Sequence, residues 1–219
     1  MDRPMSSDHR GFTLIEVMVA LLLMSIMAML SWRALDSMVR TRESLVQRGQ
    51  QFDGVRALFA QWENDCHALG SPNRWLAGVP LHFDSNRIDL IRTRVEPEGV
   101  QQTVLVSYLW QDGDVERLES PPILGRAELL QNWDALQQGS QLSTLYSVAP
   151  VVLIHGSTGL EGRGFMEGAD WNSDSALLNQ QWQAPAAGGG NPLLLGIELA
   201  VGVPGSDVPL RKVCLTGQS

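Results

Sequence analysis

The segment Gly11-Phe12-Thr13-Leu14-Ile15-Glu16 contains the residues whose types and spacing best indicate chemistry. Phe12 begins an apolar run of about 19 residues that ends at Leu30, roughly the length that an α-helix needs to cross the hydrocarbon core of a bilayer. Glu16 lies about one turn inside this run, where an ionised carboxylate costs several kcal/mol unless a partner neutralises it. The sequence therefore predicts a membrane-spanning helix whose one internal carboxylate needs a counter-charge.

This segment, preceded by a short polar leader that ends at Arg10, resembles the processing site of type IV prepilins and type II secretion pseudopilins. In those families a membrane peptidase cuts after the glycine and methylates the new N-terminal phenylalanine. The resemblance implies that residues 1–11 are a cleaved leader, that cleavage falls between Gly11 and Phe12, and that Phe12 is N-methylated. Glu16 would then be the fifth residue of the mature chain.

The physical chemistry of the segment agrees with this resemblance. Before cleavage the nitrogen of Phe12 is a neutral peptide group, whereas cleavage creates an ammonium that can pair with a carboxylate inside the membrane or inside a packed fibre. The resemblance implies that this pairing is made between neighbouring subunits. The alternative is an ordinary signal peptide or anchor in which Glu16 is tolerated. A secretory signal has a small-residue cleavage site after its apolar core, and the sequence Leu30-Ser31-Trp32-Arg33 offers none of that type.

Composition limits the class of partner. The chain has 219 residues, 24 acidic and 16 basic side chains, and a net charge of −8. This charge balance argues against nucleic acid as the main partner, because neutralising phosphates requires clustered Lys and Arg, and Lys212 is the sole lysine. After the leader and the membrane segment, about 190 residues remain, which is enough for one globular domain with its own core.

The membrane helix is predicted to continue into the compartment beyond the membrane. We assign residues 12–31 to the membrane and residues 32–69 to the periplasmic part of the helix. An apolar stripe continues along it, with members at Leu35, Met38, Leu45, Phe52, Val55, Phe59, Trp62, Cys66 and Leu69. The stripe could be a seam toward another protein or the face on which the protein's own domain packs. We expect the membrane-proximal turns to face partner subunits and the turns from about Phe52 onward to face the domain's sheet.

Residues 70–219 are predicted to form an α+β domain, in which the long helix packs on an antiparallel β-sheet. Alternation and turn signals predict strands over 87–94, 103–110, 115–119, 147–155, 193–203 and 209–215, and a short helix over 126–136. Residues 156–192 are rich in Gly, Ser, Asn, Asp and Pro, and are predicted to be mostly loop.

Three features make the chain similar to the larger J-type minor pseudopilin of type II secretion systems. They are the Ser31-Trp32-Arg33-Ala34-Leu35-Asp36 stretch, the predicted hairpin over 110–118 and the Ala169-Asp170-Trp171-Asn172 region. Ala34 departs from that group's pattern, which has glycine at this position. The resemblance implies a single-pass inner-membrane protein with a periplasmic C-terminal domain, placed at the tip of a pseudopilus that supports protein secretion.

The implied partners are the other minor pseudopilins, the major pseudopilin, the prepilin peptidase and the membrane. Two alternatives remain open at this point. One is a minor pilin of a type IV pilus, which would serve adhesion, motility or DNA uptake. The other is a lone membrane-anchored periplasmic binding domain.

Cys66 and Cys214 are predicted to form a disulfide, since their number is even and the periplasm is oxidising. Such a bond would tie the last strand to the helix and stabilise the fold by about 4 to 5 kcal/mol in the chain-entropy model. Two separate thiols are the alternative.

Neither metal binding nor enzymatic activity is expected. The Asp170 to Asp174 segment begins like a calcium loop but has Ser175 and Gln181 where the pattern requires glycine and glutamate. The histidines, His9, His67, His82 and His155, have no metal-ligand spacing. No nucleophile elbow, phosphate loop or paired-carboxylate motif is present, so the sequence predicts no catalysis and no cofactor.

Overall fold

The computed structural model describes residues 13–69, 78–183 and 192–216. The helices are α1 (Leu14–His67), α2 (Arg126–Gln137), α3 (Leu142–Tyr146) and α4 (Ser175–Gln183). The strands are β1 (Leu81–Asp84), β2 (Arg87–Val95), β3 (Gln101–Gln111), β4 (Asp114–Glu119), β5 (Val151–Ile154), β6 (Gly159–Met166), β7 (Trp171–Asn172), β8 (Leu194–Gly202) and β9 (Leu210–Leu215). The fold class is α+β, with a long N-terminal apolar helix and antiparallel sheets, as predicted, and it is consistent with a pilin-like fold.

The chain divides into two compact units, of which the first ends at Gln50. In its described part this unit is the N-terminal portion of α1, whose described side chains are exposed. Among the described residues, the 33-residue segment Leu14–Val46 is long and apolar enough to cross a membrane, by length and composition.

The second unit, from Gln51 onward, contains two antiparallel sheets. The large sheet has the strand order β1-β2-β3-β4-β5, and the small sheet has the order β7-β6-β8-β9. Side chains on one face of the large sheet, such as Ile88 and Leu90, join the main core with the inner face of the small sheet and with the distal part of α1. The other face, which includes Ile91, packs on α2 and α3 in a second core.

The distal part of α1 buries one side against the domain. Val55, Leu58, Trp62 and Cys66 are buried at spacings of three and four residues, as expected for one face of an α-helix. The prediction that the turns from about Phe52 onward face the sheet is correct in outline, but Phe52 itself is 66% exposed. The physical reason is that a strict seven-residue repeat drifts by about 20° per heptad around a straight α-helix, so Phe52 is rotated away from the face that buries Cys66.

A helical glycine, Gly54, lies at a close contact between α1 and the large sheet. A Cβ atom added at Gly54 would lie 2.8 Å from the carbonyl oxygen of Leu153 in β5. The same construction at Gly49 meets nothing within 4 Å. Gly54 therefore lowers the local helix propensity but allows the helix backbone to pack directly on β5.

The prediction that residues 156–192 are mostly loop is wrong. This range contains β6, β7 and α4. Two of its glycines are core positions of a strand: a Cβ at Gly162 would lie 2.4 Å from the ring of Phe83, and one at Gly164 would lie 3.1 Å from Leu178. These glycines permit close packing of a strand, although a segment rich in glycine is typical of a loop. Strand β1 and helix α3 were also not predicted, since both are short.

Candidate functional site

The predicted processing site lies at the edge of the described structure. The leader, residues 1–11, together with Gly11 and Phe12 at the predicted cleavage point, lies outside the described residues. The structure begins at Thr13, one residue before α1. Cleavage and methylation at Gly11 and Phe12 therefore remain predictions from the sequence.

Glu16 is positioned by the first turn of α1. Its backbone N–H donates to the carbonyl oxygen of Thr13 at 3.1 Å and to the Thr13 hydroxyl at 3.4 Å. Thr13 and Glu16 thus have the spacing and one of the two hydrogen bonds of a capping box. The pattern of Ser or Thr followed three residues later by Glu could have predicted this helix start from the sequence. A carboxylate in the first turn also interacts favourably with the helix dipole.

The Glu16 side chain is exposed, and within residues 13–69, 78–183 and 192–216 its carboxylate has no hydrogen bond or ion pair. It lies on a helix segment whose apolar side chains are exposed as well, including Leu14, Ile15 and Met18. The chemistry available here is association: the apolar helix surface can be buried in a membrane and against neighbouring helices, and the carboxylate can pair with a cation supplied by a neighbouring helix.

At the other end of α1, Asp65 is a completely buried carboxylate. The guanidinium of Arg117 donates to both of its oxygens, at 2.8 Å and 3.0 Å. The Tyr108 hydroxyl donates to Oδ2 at 2.6 Å, and Arg92 and Gln61 donate to Oδ1. Sequence reasoning missed Asp65, although an acidic residue between Trp62 and Cys66 on an apolar helix face was the available signal.

The environment around Asp65 raises the pKa values of two neighbouring side chains, Tyr108 and Arg117. Burial, followed by the negative charge of Asp65 and its hydrogen bond, raises the pKa of Tyr108 well above its ordinary range. Burial alone would lower the pKa of Arg117, but the hydrogen bond and the charge of Asp65 outweigh it and raise that pKa. Tyr108 therefore stays neutral and Arg117 stays charged, so the cluster acts as a fixed structural connection between the helix and the large sheet.

Cys66 and Cys214 are brought together next to this cluster. Their sulfur atoms are 2.07 Å apart and their Cα atoms 6.4 Å apart, which is a disulfide. Lys212, on the same strand, forms an ion pair with Glu63 of α1 at 2.8 Å. Strand β9 is therefore attached to α1 by one covalent bond and one ion pair.

The Asp170 to Asp174 segment contains strand β7 and ends at Asp174, which caps the start of α4. Asp174 Oδ1 accepts hydrogen bonds from the backbone N–H groups of Ala176 at 2.8 Å and Leu177 at 3.2 Å, at the beginning of α4. Asn172 Oδ1 accepts from the N–H of Asp174 at 2.7 Å. The described residues contain no group of three His, Cys, Asp or Glu side chains arranged to hold a metal ion.

Comparison with known families matches the N-terminal segment. Residues 6–32 match the family model described as the prokaryotic N-terminal methylation motif, and this range includes Gly11, Phe12 and Glu16. No curated protein matches the sequence. The motif is a type IV pilin-like prepilin signal, and with the apolar helix it supports a membrane-anchored, type IV pilin-like protein of a pilus or a pseudopilus.

Proposed function

We propose that this protein is a minor pseudopilin of a type II secretion system, of the J type, located at the tip of a short periplasmic pseudopilus. The observation that carries the proposal is the methylation motif over residues 6–32, followed by an exposed apolar helix that continues into an α+β domain. The assignment to type II secretion and to the J type depends on the resemblance of residues 31–36, 110–118 and 169–172.

In this function, prepilin peptidase hydrolyses the Gly11–Phe12 bond on the cytoplasmic side and methylates the amine of Phe12. The N-methylated amine remains protonated and supplies the positive charge that the Glu16 carboxylate of an adjacent subunit needs in an apolar environment. The exposed apolar side chains of α1 then pack against the helices of other minor pseudopilins and the major pseudopilin, and the second unit lies in the periplasm. The protein acts through assembly, without catalysis and without a cofactor.

The test uses Glu16→Gln expressed in a strain that lacks the native copy. The side chain keeps its size and loses its charge, so we expect normal membrane insertion, normal leader removal and loss of co-purification with the major pseudopilin. Glu98→Gln, an exposed carboxylate in the turn between β2 and β3 and outside α1, is the matched control and should assemble normally. Intact assembly and secretion by Glu16→Gln would contradict the proposal and favour a lone membrane-anchored domain.

A second experiment separates the two kinds of filament. Deletion of the protein should abolish secretion of folded exoproteins across the outer membrane and leave pilus-dependent motility and DNA uptake unchanged. The gene should also lie among secretion genes. The opposite phenotype, with the gene among pilus genes, would make the protein a minor pilin.

A further inference from the structure

Strand β6 has a backbone edge that is covered over only part of its length. On one side β6 pairs with β8 from Gly159 to Met166. On the other side β7 pairs only with Gly164 and Phe165. In the part of the chain that the structure describes, no strand pairs with residues 159–163 on this second side.

The hydrogen-bond register shows which backbone groups face this open edge. The N–H of Thr216 donates to the carbonyl of Leu195, so alternate residues of β8 from Leu195 onward direct their backbone groups toward β9. Glu198 lies between two of these residues, so its backbone N–H and C=O point the other way, toward Arg163 of β6. The backbone groups of Arg163 therefore face β8, and those of the adjacent residue, Gly162, point to the open edge.

The free edge of β1 is covered by helix α4, in contrast to the open edge of β6. Phe83 in β1 directs its backbone groups to the free edge of the large sheet, where the Ser175 hydroxyl accepts from its N–H at 2.6 Å and donates to its C=O at 3.1 Å. Asn179, one turn further along α4, accepts from the N–H of Val79 at 3.0 Å. Helix α4 thus satisfies the edge of β1, as expected for a protein that protects exposed strand edges. The described residues supply no such group to Gly162.

The open edge of β6 borders a cleft at the surface. Its lining combines the turn after β1, the edge of β6 and the loop after β7, and includes Asp84, Ser85, Glu161, Gly162 and Ser173. Asp84 and Glu161 are exposed carboxylates. The one cation in the lining, Arg163, is paired at 2.7 Å with Glu198, so it does not neutralise them. The cleft therefore combines unpaired backbone groups with an excess of negative charge.

We infer that this cleft binds an extended segment of a partner protein that carries basic side chains and adds to β6 as a strand. The N–H and C=O of Gly162 pair with the partner's main chain, which provides affinity for any extended backbone. Asp84 and Glu161 select lysine or arginine side chains on the bound segment. A glycine at position 162 also lets β6 approach the ring of Phe83 closely, and Gly162 is a buried residue in the lining of the cleft.

The test uses the full chain in detergent micelles and a short acetylated peptide of alternating threonine and arginine as the probe. Fluorescence anisotropy should detect binding, and hydrogen–deuterium exchange should slow in residues 160–163 and remain unchanged in β1. The same peptide methylated on every backbone nitrogen should not bind, because it cannot donate to the carbonyl of Gly162. A peptide with glutamate in place of arginine should bind about tenfold more weakly.

The variant Asp84→Arg/Glu161→Arg should weaken binding of the arginine peptide about tenfold and strengthen binding of the glutamate peptide. Glu98→Arg, an exposed carboxylate in the turn between β2 and β3, is the control and should leave the difference between the two peptides intact. The inference is overturned if the arginine peptide does not bind, if the methylated peptide binds equally well, or if protection appears elsewhere. None of these outcomes depends on filament assembly, so they leave the proposed function untouched.

Discussion

The carboxylate of Asp65 in α1 and the guanidinium of Arg117 in β4 form a bidentate pair, with Nε to Oδ2 at 2.8 Å and Nη2 to Oδ1 at 3.0 Å. Asp65 is fully buried, and only 12% of the Arg117 side chain is exposed. Arg117 also donates to Glu119 at 2.7 Å. This pair connects the distal part of α1 to strand β4 of the large sheet.

Asp65→Asn should destabilise the domain by about 3 to 5 kcal/mol, because it removes the buried charge that pairs with the largely buried guanidiniums of Arg92 and Arg117. Among the described residues, the partly exposed Glu119 is then their remaining carboxylate partner. The free energy of unfolding can be measured by urea titration of the full chain in detergent micelles, with tryptophan fluorescence as the signal. Asp53→Asn, an exposed position on the same helix, is the control and should change it by less than about 0.5 kcal/mol. Equal midpoints for the two variants would show that the pair does not stabilise the fold.

Gly54→Ala and Gly49→Ala should have opposite effects. Alanine is favoured over glycine in a helix by about 1 kcal/mol, and at Gly49 nothing opposes this gain. At Gly54 the new methyl group meets the Leu153 carbonyl at 2.8 Å, so we expect a net loss of about 1 to 3 kcal/mol. Thermal unfolding monitored by circular dichroism would test both, and stabilisation by Gly54→Ala would show that β5 does not contact the helix there.

The Cys66–Cys214 bond closes a loop with a sequence separation of 148 residues, for which the chain-entropy model gives a stabilisation of about 5 kcal/mol. Cys66→Ala/Cys214→Ala should lower the midpoint of urea unfolding accordingly. Reductant should lower the midpoint of the unmodified chain and leave that of the double variant unchanged. If reductant shifts neither protein, the disulfide is not a source of stability.

Asp89 should make stability depend on pH. Burial raises the pKa of this carboxyl from 3.8 to about 6, against the opposing effects of Arg87 and the Ser107 hydrogen bond. Because the folded pKa is above the unfolded value, the folded state binds more protons between about pH 4 and pH 6. The stabilising contribution of Asp89 is therefore complete below about pH 4 and is lost as the pH rises through about 6, by about 3 kcal/mol.

The measurement is the difference in unfolding free energy between the unmodified chain and Asp89→Asn across this pH range. Because the other carboxyls are common to both proteins, their contributions cancel in this difference. The difference should shift in favour of Asp89→Asn as the pH rises. A constant difference across this range would mean that the folded and unfolded pKa values of Asp89 are the same.

Much of the fold could be predicted from local patterns. Strands β2, β3, β4, β8 and β9 and helix α2 lie within a few residues of their predicted ranges, because alternation and turn residues there act locally. Strand β5 is shorter than the predicted range 147–155, since Ser147, with a φ of 52°, ends α3 in a left-handed conformation. The strand around Gly162 and Gly164 could not be predicted from its own residues. Glycine is required there because the side chains of Phe83 and Leu178 pack against it, and both lie elsewhere in the sequence.

The sequence by itself determined the N-terminal motif, since the order Gly11, Phe12, Glu16 and the apolar run that follows are properties of consecutive residues. Only the tertiary structure decided which turns of α1 pack on the domain, why Asp65 is buried, and which strand edge stays open. Each of these depends on contacts between groups that are far apart in the sequence. Arg117 donates to Asp65, and Leu153 contacts Gly54. Ser175 covers the edge of β1 but does not cover Gly162. Local periodicity carries no information about such meetings, because packing across the core selects them.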